Sequence, residues 1–435
     1  MSKSIYWVVL SSAIVMSPAD SLAQHEHPPS ASPPQTTEQH QHPSPSNSTA
    51  GAPLGRDGSG TSWLPDVTPM YAIHGTSGEW QTMLHGIAFL QYLRDATPRG
   101  QRQFGSINWL MASARRPAAA GTLTLRGMFS LEPWTIPDCG YPDLLASGEV
   151  CEGQPIVDRQ HPHDLLMEVS ATYDRPLSSG LALQFYGGLA GEPALGPVAF
   201  PHRPSALSNP LAPIAHHWLD ASHITFGVMT AAIVDPRWKL EGSVFNGREP
   251  DEDRHDLNLA ALDSFSGRVT LLPTPRLAVQ FSAGHLAEAE EHDLARVDVD
   301  RVTASAIYHV PRPDGGLWAT TVAWGRNRED DEATHALLAE STWSIADRDV
   351  FFGRAEVVQK STHDLALDDI DERFNVVKLQ VGYSRFLAPR FGWRAGLGGS
   401  VSIGIVPDGL ATTYGGRVTP GGAVFLVLRP AASSH

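Results

Sequence analysis

The chain has 435 residues, 42% of them hydrophobic, a length that suits one large all-β domain or two or three ordinary domains. Its 47 acidic residues outnumber the 32 Lys and Arg residues, which gives a net charge of −15. Because phosphate binding needs a basic face, we expect no nucleic-acid partner, whereas an acidic surface favours cations.

The first 23 residues have the features of a secretory signal peptide. Lys3 precedes the apolar run IYWVVLSSAIVM, and the small residues Ser21 and Ala23 suit cleavage after Ala23. This run is short for a membrane-spanning helix, and no later stretch offers about 18 consecutive apolar residues. We therefore predict an exported protein whose mature form has no transmembrane helix.

Residues 24–78 are predicted to form a disordered arm, because Pro, Ser, Gly and Gln dominate them up to about Ser62 and little of this sequence can be buried. The arm carries two His-x-His pairs, which can bind copper, nickel or zinc weakly. The alternative is a solvated linker without a ligand. The candidate metal ligands in the arm are His25, His27, His40 and His42.

From about Glu79 onwards, apolar residues alternate with polar or small ones, as in GTLTLRGMFSL, where Leu123 and Leu125 alternate with Thr124 and Arg126. A period of two is typical of strands with one apolar and one polar face. About sixteen strands are predicted, with twelve to fourteen as the alternatives. Their approximate spans are 82–93, 102–114, 121–131, 164–174, 180–190, 221–232, 236–246, 264–272, 276–286, 300–309, 316–326, 336–345, 349–359, 374–387, 391–405 and 418–429.

The connections alternate between short turns and long loops, and the strands have the length that a tilted strand needs to cross a bilayer. Residues 79–430 thereby resemble the porin-like β-barrels of Gram-negative outer membranes. The resemblance implies an all-β, antiparallel, up-and-down transmembrane barrel with both termini in the periplasm and the long loops outside. A soluble sandwich or propeller is the alternative, although neither usually keeps a long–short rhythm along the whole chain.

The two cysteines, Cys139 and Cys151, lie in one predicted long loop. In an exported protein, a nearby pair of cysteines favours a disulfide, because the compartment is oxidising. A metal site built from two thiolates is the alternative.

Histidines and carboxylates collect in the predicted long loops. The segment DRQHPHDLL contains His161 and His163, and IAHHWLDASH contains His216, His217 and His223. Because the two loops flank one hairpin, we expect these histidines to lie close together at the rim of the barrel. Imidazole with carboxylate suits divalent zinc, copper or nickel, which makes this a candidate metal site. The alternative is that the loops are merely polar.

The inward faces of the predicted strands carry charges of both signs, as the lining of an aqueous pore requires. Paired charges that fill a narrow barrel are the alternative, but sixteen strands would leave a water-filled lumen. The predicted pore-lining residues are Arg126, Gln184, Lys239, Glu241, Arg268, Arg301, Arg354, Glu356, Lys378 and Gln380.

We expect a pore or channel rather than an enzyme, because the sequence has no nucleophile elbow, Walker loop or His-Glu-x-x-His motif. Its partners would be outer-membrane lipid and small solutes or metal cations. The His- and Pro-rich arm also resembles that of outer-membrane copper-resistance proteins, although it lacks their methionine-rich repeats. The sequence assigns no definite cofactor, and copper and zinc are the candidate metals.

Two other functions remain open. The barrel could bind a partner through its long loops without transport, or carry a lipid hydrolase site at the rim that includes Ser222 and His223. The oligomeric state is also open.

Overall fold

The computed structural model describes residues 54–431, apart from 179, 293–294, 330–331 and 368–371. The predicted signal peptide and the four arm histidines lie outside the described residues. The strands, in chain order, are β1 (Ala72–Ser77), β2 (Trp80–Asp95), β3 (Arg102–Ala118), β4 (Gly121–Phe129), β5 (Tyr141–Cys151), β6 (Gln154–Gln160), β7 (Leu166–Ser178), β8 (Leu181–Ala190), β9 (Val228–Val234), β10 (Trp238–Phe245), β11 (Ser264–Thr274), β12 (Leu277–His292), β13 (Ala295–Pro311), β14 (Leu317–Glu329), β15 (Glu332–Ile345), β16 (Asp349–Ser361), β17 (Arg373–Phe386), β18 (Trp393–Ile405) and β19 (Val418–Pro430).

Sixteen of these strands close into an antiparallel up-and-down barrel. Each strand pairs with the next along the chain, β4 pairs with β7, and β19 closes the barrel against β2 through pairs such as Leu426 with Leu90. The predicted fold class and strand number are confirmed. Closure pairs every strand on both sides, so the barrel has no free edge, as a strand structure in lipid requires.

The barrel wall is apolar outside and polar inside. In β10, Trp238, Leu240 and Val244 are exposed on the outer face, whereas Lys239 and Glu241 are buried within the barrel. The same alternation recurs around the wall and exposes large apolar side chains that a soluble protein would bury. This outer face suits contact with lipid chains.

Short turns cluster at one end of the barrel and long connections at the other. We call these the turn end and the loop end. The turn end carries residues 119–120, 235–237, 275–276, 312–316, 346–348 and 387–392, and the loop end carries 96–101, 130–165, 191–227, 246–263, 362–367 and 406–417. The loop-end connections contain three one-turn helices, α1 (Glu132–Thr135), α2 (His216–Leu219) and α3 (Ala411–Tyr414). Among the described residues, no helix has both the length and the apolar character needed to cross a bilayer.

Strand β9 begins later than the sequence pattern indicates. The predicted strand 221–232 overlaps a 3-10 turn at Ala221–His223, and β9 starts only at Val228. Ile224 and Phe226 mimic a strand pattern because they are buried in the interior core, not because they face lipid. An apolar period of two therefore does not distinguish a lipid-facing strand from a loop packed inside the barrel.

The long connection between β4 and β7 contains an additional hairpin, β5–β6, which the sequence analysis left within a loop. The predicted disulfide between Cys139 and Cys151 is present and joins the residue before Gly140 to the end of β5. Inside the barrel, Lys378 contacts Asp143 of the hairpin and donates to the carbonyl of Leu144 at 2.9 Å. The hairpin thus folds over the loop end of the lumen.

Residues 54–71, which we call the N-terminal segment, are ordered within the barrel. The prediction of a disordered arm up to residue 78 was therefore wrong for these residues and for β1. Trp63 is buried against inward-facing side chains near the turn end, and Arg56 lies over its ring at 4.7 Å. Thr68 Oγ1 lies 2.8 Å from Nδ1 of His309. The segment is low in apolar residues, yet the wall supplies the contacts that order it.

Residues 191–227, which we call the lumen loop, cross the interior from the loop end. Arg203 is fully buried and pairs with Glu340 on β15. Further on, Asn209 donates to Gln380 at 2.7 Å, and the Ala215 amide donates to Glu356 at 3.0 Å. Val198 of this loop shares an apolar cluster with Trp63, so the two inserted segments meet inside the barrel.

Candidate functional site

Five histidines from two loops come together at the loop end of the barrel. We call His161, His163, His216, His217 and His223 the histidine cluster. The ring centroids lie 5.1 Å apart for His216 and His223, 5.4 Å for His163 and His223, and 5.9 Å for His161 and His217. All five side chains are buried or nearly so. These are the five loop histidines that the sequence singled out as candidate ligands.

Asp220, at the end of α2, organises the inner part of the cluster. Its Oδ1 lies 2.8 Å from Nδ1 of His216, and its backbone carbonyl lies 2.8 Å from Nδ1 of His223. Its Oδ2 accepts from Arg203 at 2.6 Å and from the Phe200 amide at 2.8 Å. Because both histidines donate through Nδ1, each presents Nε2 as the unprotonated nitrogen when the ring is neutral.

His163 is held in the same way by Glu132 of α1. Glu132 is fully buried, and its Oε1 lies 2.9 Å from Nδ1 of His163, while Oε2 accepts from the His163 amide at 2.9 Å. Oε1 also accepts from the Asn108 amide of β3 at 3.1 Å, which fixes the carboxylate to the wall. His163 therefore also has Nδ1 occupied.

The outer part of the cluster borders an acidic cavity of about 400 Å³. His161 Nε2 lies 3.2 Å from Oε1 of Glu149, and His217 Nδ1 lies 3.0 Å from Oε1 of Glu249. Both carboxylates line the cavity. Its other lining residues are Val150, Gly153, Pro250, Asp251, Glu252, Asp253, Ala289 and Arg296. A cation entering this cavity would meet carboxylates first and imidazoles behind them.

Burial and the neighbouring carboxylates together set the pKa values of the three inner histidines of the cluster, His163, His216 and His223. Burial lowers the pKa of His216 to about 4, against the opposing effect of the Asp220 carboxylate, and it holds the pKa of His223 well below the ordinary value. Burial also acts to lower the pKa of His163, but Glu132 outweighs it and the pKa is raised. At neutral pH, His216 and His223 are therefore neutral imidazoles, the form that binds metals.

Burial raises the pKa of Asp220, but Arg203 and His216 outweigh it, so that the pKa is lowered overall and the carboxylate stays ionised. Among the described residues, no three His, Cys, Asp or Glu side chains already have their donor atoms gathered around one point as a bound ion would require. A metal could bind only if it drew some of these rings together.

The predicted pore-lining residues point into the barrel, but most of them contact inserted protein. Lys239 and Arg268 donate to Thr61 of the N-terminal segment, and Arg126 donates to the carbonyl of Gly60. Arg354 donates to Leu211 of the lumen loop. Gln184 and Arg301 bond to the wall residues Asp174 and Asn327, and Glu241 bonds to Arg268. The wide aqueous lumen expected from sixteen strands is thus occupied by two chain segments at this level.

The serine–histidine pair considered for a hydrolase is also buried. His223 uses Nδ1 for the Asp220 carbonyl, and in the described part of the chain the Ser222 hydroxyl has no hydrogen-bond partner. The two side chains therefore do not form the hydrogen bond of a nucleophile and its base.

Sequence reasoning missed the residues that hold the cluster in place. Glu132, Glu149 and Arg203 carry no local motif, and each acts on a residue at least twelve positions away in the sequence. His202 is a further histidine of the lumen loop outside the cluster. It lies 6.0 Å from His85 of β2 and 4.7 Å from Trp109, centroid to centroid. No motif or spacing in the sequence indicates these contacts.

No protein-family model and no curated protein sequence matches this chain. Solved structures do match in fold. An anion-selective porin from Comamonas acidovorans aligns with a TM-score of 0.50 and 10% identity, over 81% of this chain and 100% of the porin. Salmonella typhi OmpF, solved with daunomycin, aligns with a TM-score of 0.50 and 10% identity, over 82% of this chain and 100% of its own. The chain therefore has the fold of outer-membrane porins.

Proposed function

We propose that the protein is an outer-membrane channel, closed in the conformation seen here, that passes small cations, divalent metal ions among them. The observation that carries the proposal is that the barrel ladder closes without the lumen loop or the N-terminal segment. These two segments can withdraw while every barrel strand keeps its partners. The wall left behind would have sixteen strands and an inner face of mixed charge, which suits an aqueous lumen.

The acidic cavity at the loop end supports cations as the solutes. Glu149, Glu249, Asp251, Glu252 and Asp253 line it. A concentration of carboxylates at an entrance raises the local concentration of cations and repels anions. The histidine cluster directly behind the cavity adds a preference for metals that bind imidazole.

Reconstitution into planar lipid bilayers tests the channel. We expect stepwise conductance and, in a KCl gradient, a reversal potential of the sign that marks cation selectivity. The variant Asp251→Asn/Glu252→Gln should shift this potential towards zero. The matched control Asp235→Asn/Asp314→Asn removes the same charge at the turn end and should leave it nearer the wild-type value.

Two results would contradict the proposal. One is the absence of conductance steps both in the wild-type protein and in variants that loosen the inserted segments. The other is an anion-selective reversal potential. Heat-modifiable migration on a detergent gel should accompany each measurement, because it shows that the barrel is folded.

A further inference from the structure

The inner part of the histidine cluster brings the buried rings of His163 and His216 next to that of His223. We infer that His163, His216 and His223 bind one divalent transition-metal cation, such as Zn²⁺, Cu²⁺ or Ni²⁺, through their Nε2 atoms. The inference deepens the proposed function by assigning its ligands, but binding does not require conduction. The two can therefore fail separately.

The hydrogen bonds of the three rings carry the first part of the argument. Metal-binding histidines almost always donate their other ring nitrogen to a carboxylate or a backbone carbonyl. Here Nδ1 of His163 bonds to Glu132, Nδ1 of His216 to the Asp220 carboxylate, and Nδ1 of His223 to the Asp220 carbonyl. All three rings are thus oriented by acceptors of this kind.

The Nε2 atom of His223 carries the second part. The side chain is only 9% exposed, and this nitrogen is buried without a hydrogen-bond partner among the described residues. A buried acceptor left unsatisfied destabilises the folded state, so such an atom calls for an explanation. A bound cation would satisfy it.

The separations of the rings carry the third part. With metal–nitrogen bonds of about 2.0–2.1 Å and tetrahedral angles, two imidazole centroids around one ion lie about 5 Å apart. The centroids of His216 and His163 lie 5.1 Å and 5.4 Å from that of His223. An ion next to His223 therefore fits the spacing of each neighbour taken singly, and ligation by all three rings requires His163 and His216 to move inward around it. Without that movement, no three such side chains of the described residues converge on one point.

The surrounding charge and the entry path fit the same assignment. Glu132 and Asp220 supply negative charge next to the rings, which offsets the cost of placing a cation in a buried position. The acidic cavity reaches His161 and His217 through Glu149 and Glu249, and the centroids of His217 and His216 lie 5.4 Å apart. The outer pair of histidines thus lies between the cavity and the inner three.

Isothermal titration of the full mature chain in detergent, with Zn²⁺, Cu²⁺ or Ni²⁺, tests the site. A parent variant in which His25, His27, His40 and His42 are replaced by Gln removes binding by the arm. We expect one ion per chain for this parent. His163→Gln, His216→Gln and His223→Gln should each weaken binding at least tenfold, and Mg²⁺ should not bind there, because it prefers oxygen ligands.

The matched control is His255→Gln, which removes an exposed loop histidine outside the cluster and should leave the affinity unchanged. Glu132→Gln should weaken binding by about 10–100-fold, as the loss of an outer-shell partner typically does. Because a cluster variant may lose its fold, X-ray absorption of the Zn²⁺-loaded parent provides a second measurement. It should show three imidazole ligands at about 2.0–2.1 Å.

Three outcomes would overturn the inference: binding that disappears in the parent, affinity unchanged by His223→Gln, or an absorption spectrum without several imidazoles. A protein that binds the ion but never conducts would retain this site and lose the proposed channel. A protein that conducts but binds no ion would retain the proposed channel and lose this site.

Discussion

Nε of Arg203 lies 2.7 Å from Oε1 of Glu340, and this buried pair joins the lumen loop to the inner face of β15. The same guanidinium donates to Asp220 at 2.6 Å and to the carbonyl of Val198 at 2.8 Å. One side chain thus connects the barrel wall, the fold of the loop and the carboxylate that orients His216.

Replacing Arg203 with Ala should release the lumen loop. Removing one partner of a buried ion pair leaves an uncompensated charge and costs about 3–5 kcal/mol. We expect a lower midpoint for the heat-induced gel shift and more frequent conductance steps. Arg248→Ala is the control, because Arg248 pairs with Glu288 at the surface, where such pairs contribute about 0–1 kcal/mol. Equal effects of the two variants would argue against Arg203 as an anchor.

Gly60 of the N-terminal segment lies in close contact with Glu192 of the lumen loop. An added Cβ would lie 2.7 Å from Cβ of Glu192, so Gly60→Ala should push the two segments apart. Its φ of 51° also strains any other residue. Gly78→Ala is a matched control, because Gly78 has a φ of 60° and no neighbour within 4 Å of an added Cβ. We expect Gly60→Ala alone to raise the single-channel open probability, and equal open probabilities would contradict this contact.

Glu192 should make stability depend on pH. Burial raises the pKa of its carboxyl to about 8, despite the opposing charge of Arg268. The unfolded chain ionises near the ordinary value of about 4.3, so it loses this proton first and the folded state becomes less stable as pH rises from there to about 8. Thermal midpoints measured between pH 4 and 9 should therefore fall less in Glu192→Gln than in the wild type.

The control for this pH dependence is Glu332→Gln, which removes an exposed carboxylate. Its thermal midpoints should run parallel to those of the wild type. If Glu192→Gln also ran parallel, the raised pKa would not be coupled to folding.

The disulfide should protect the β5–β6 hairpin. Cys139 and Cys151 are 12 residues apart, and closing a loop of this size contributes about 3 kcal/mol in the chain-entropy description. In Cys139→Ala/Cys151→Ala we expect faster proteolysis within residues 141–160, with the barrel still folded on a detergent gel. Reduction of the wild type should reproduce the effect, and uncleaved hairpins in both samples would contradict it.

The barrel could be predicted from the sequence because the surroundings of each strand determine the pattern of residues within that strand. A strand between lipid and a polar interior must alternate, and β10 does so along its whole length, as Lys239 and Leu240 illustrate. The proximity of His161 to His216 follows from topology, since their loops flank the hairpin β7–β8 and emerge side by side.

The contents of the lumen could not be predicted in this way. Residues 54–71 and 191–227 are ordered by contacts with a wall that is distant in sequence, such as Thr68 with His309 or Asn209 with Gln380. The composition of residues 54–71 on its own resembles that of a solvated linker. Whether a segment fills the lumen depends on contacts between distant parts of the chain, and no periodic pattern in the sequence indicates such contacts.

The seam between β2 and β19 has a consequence for biogenesis. The first and last barrel strands in the sequence are partners, with Ala88 opposite Leu428 and Asp95 opposite Gly421. A chain that stops before Val418 would therefore leave two unpaired strand edges, on β2 and β18, facing lipid that cannot hydrogen-bond to them. We therefore expect stable insertion of the closed barrel to require its last thirteen residues, those of β19.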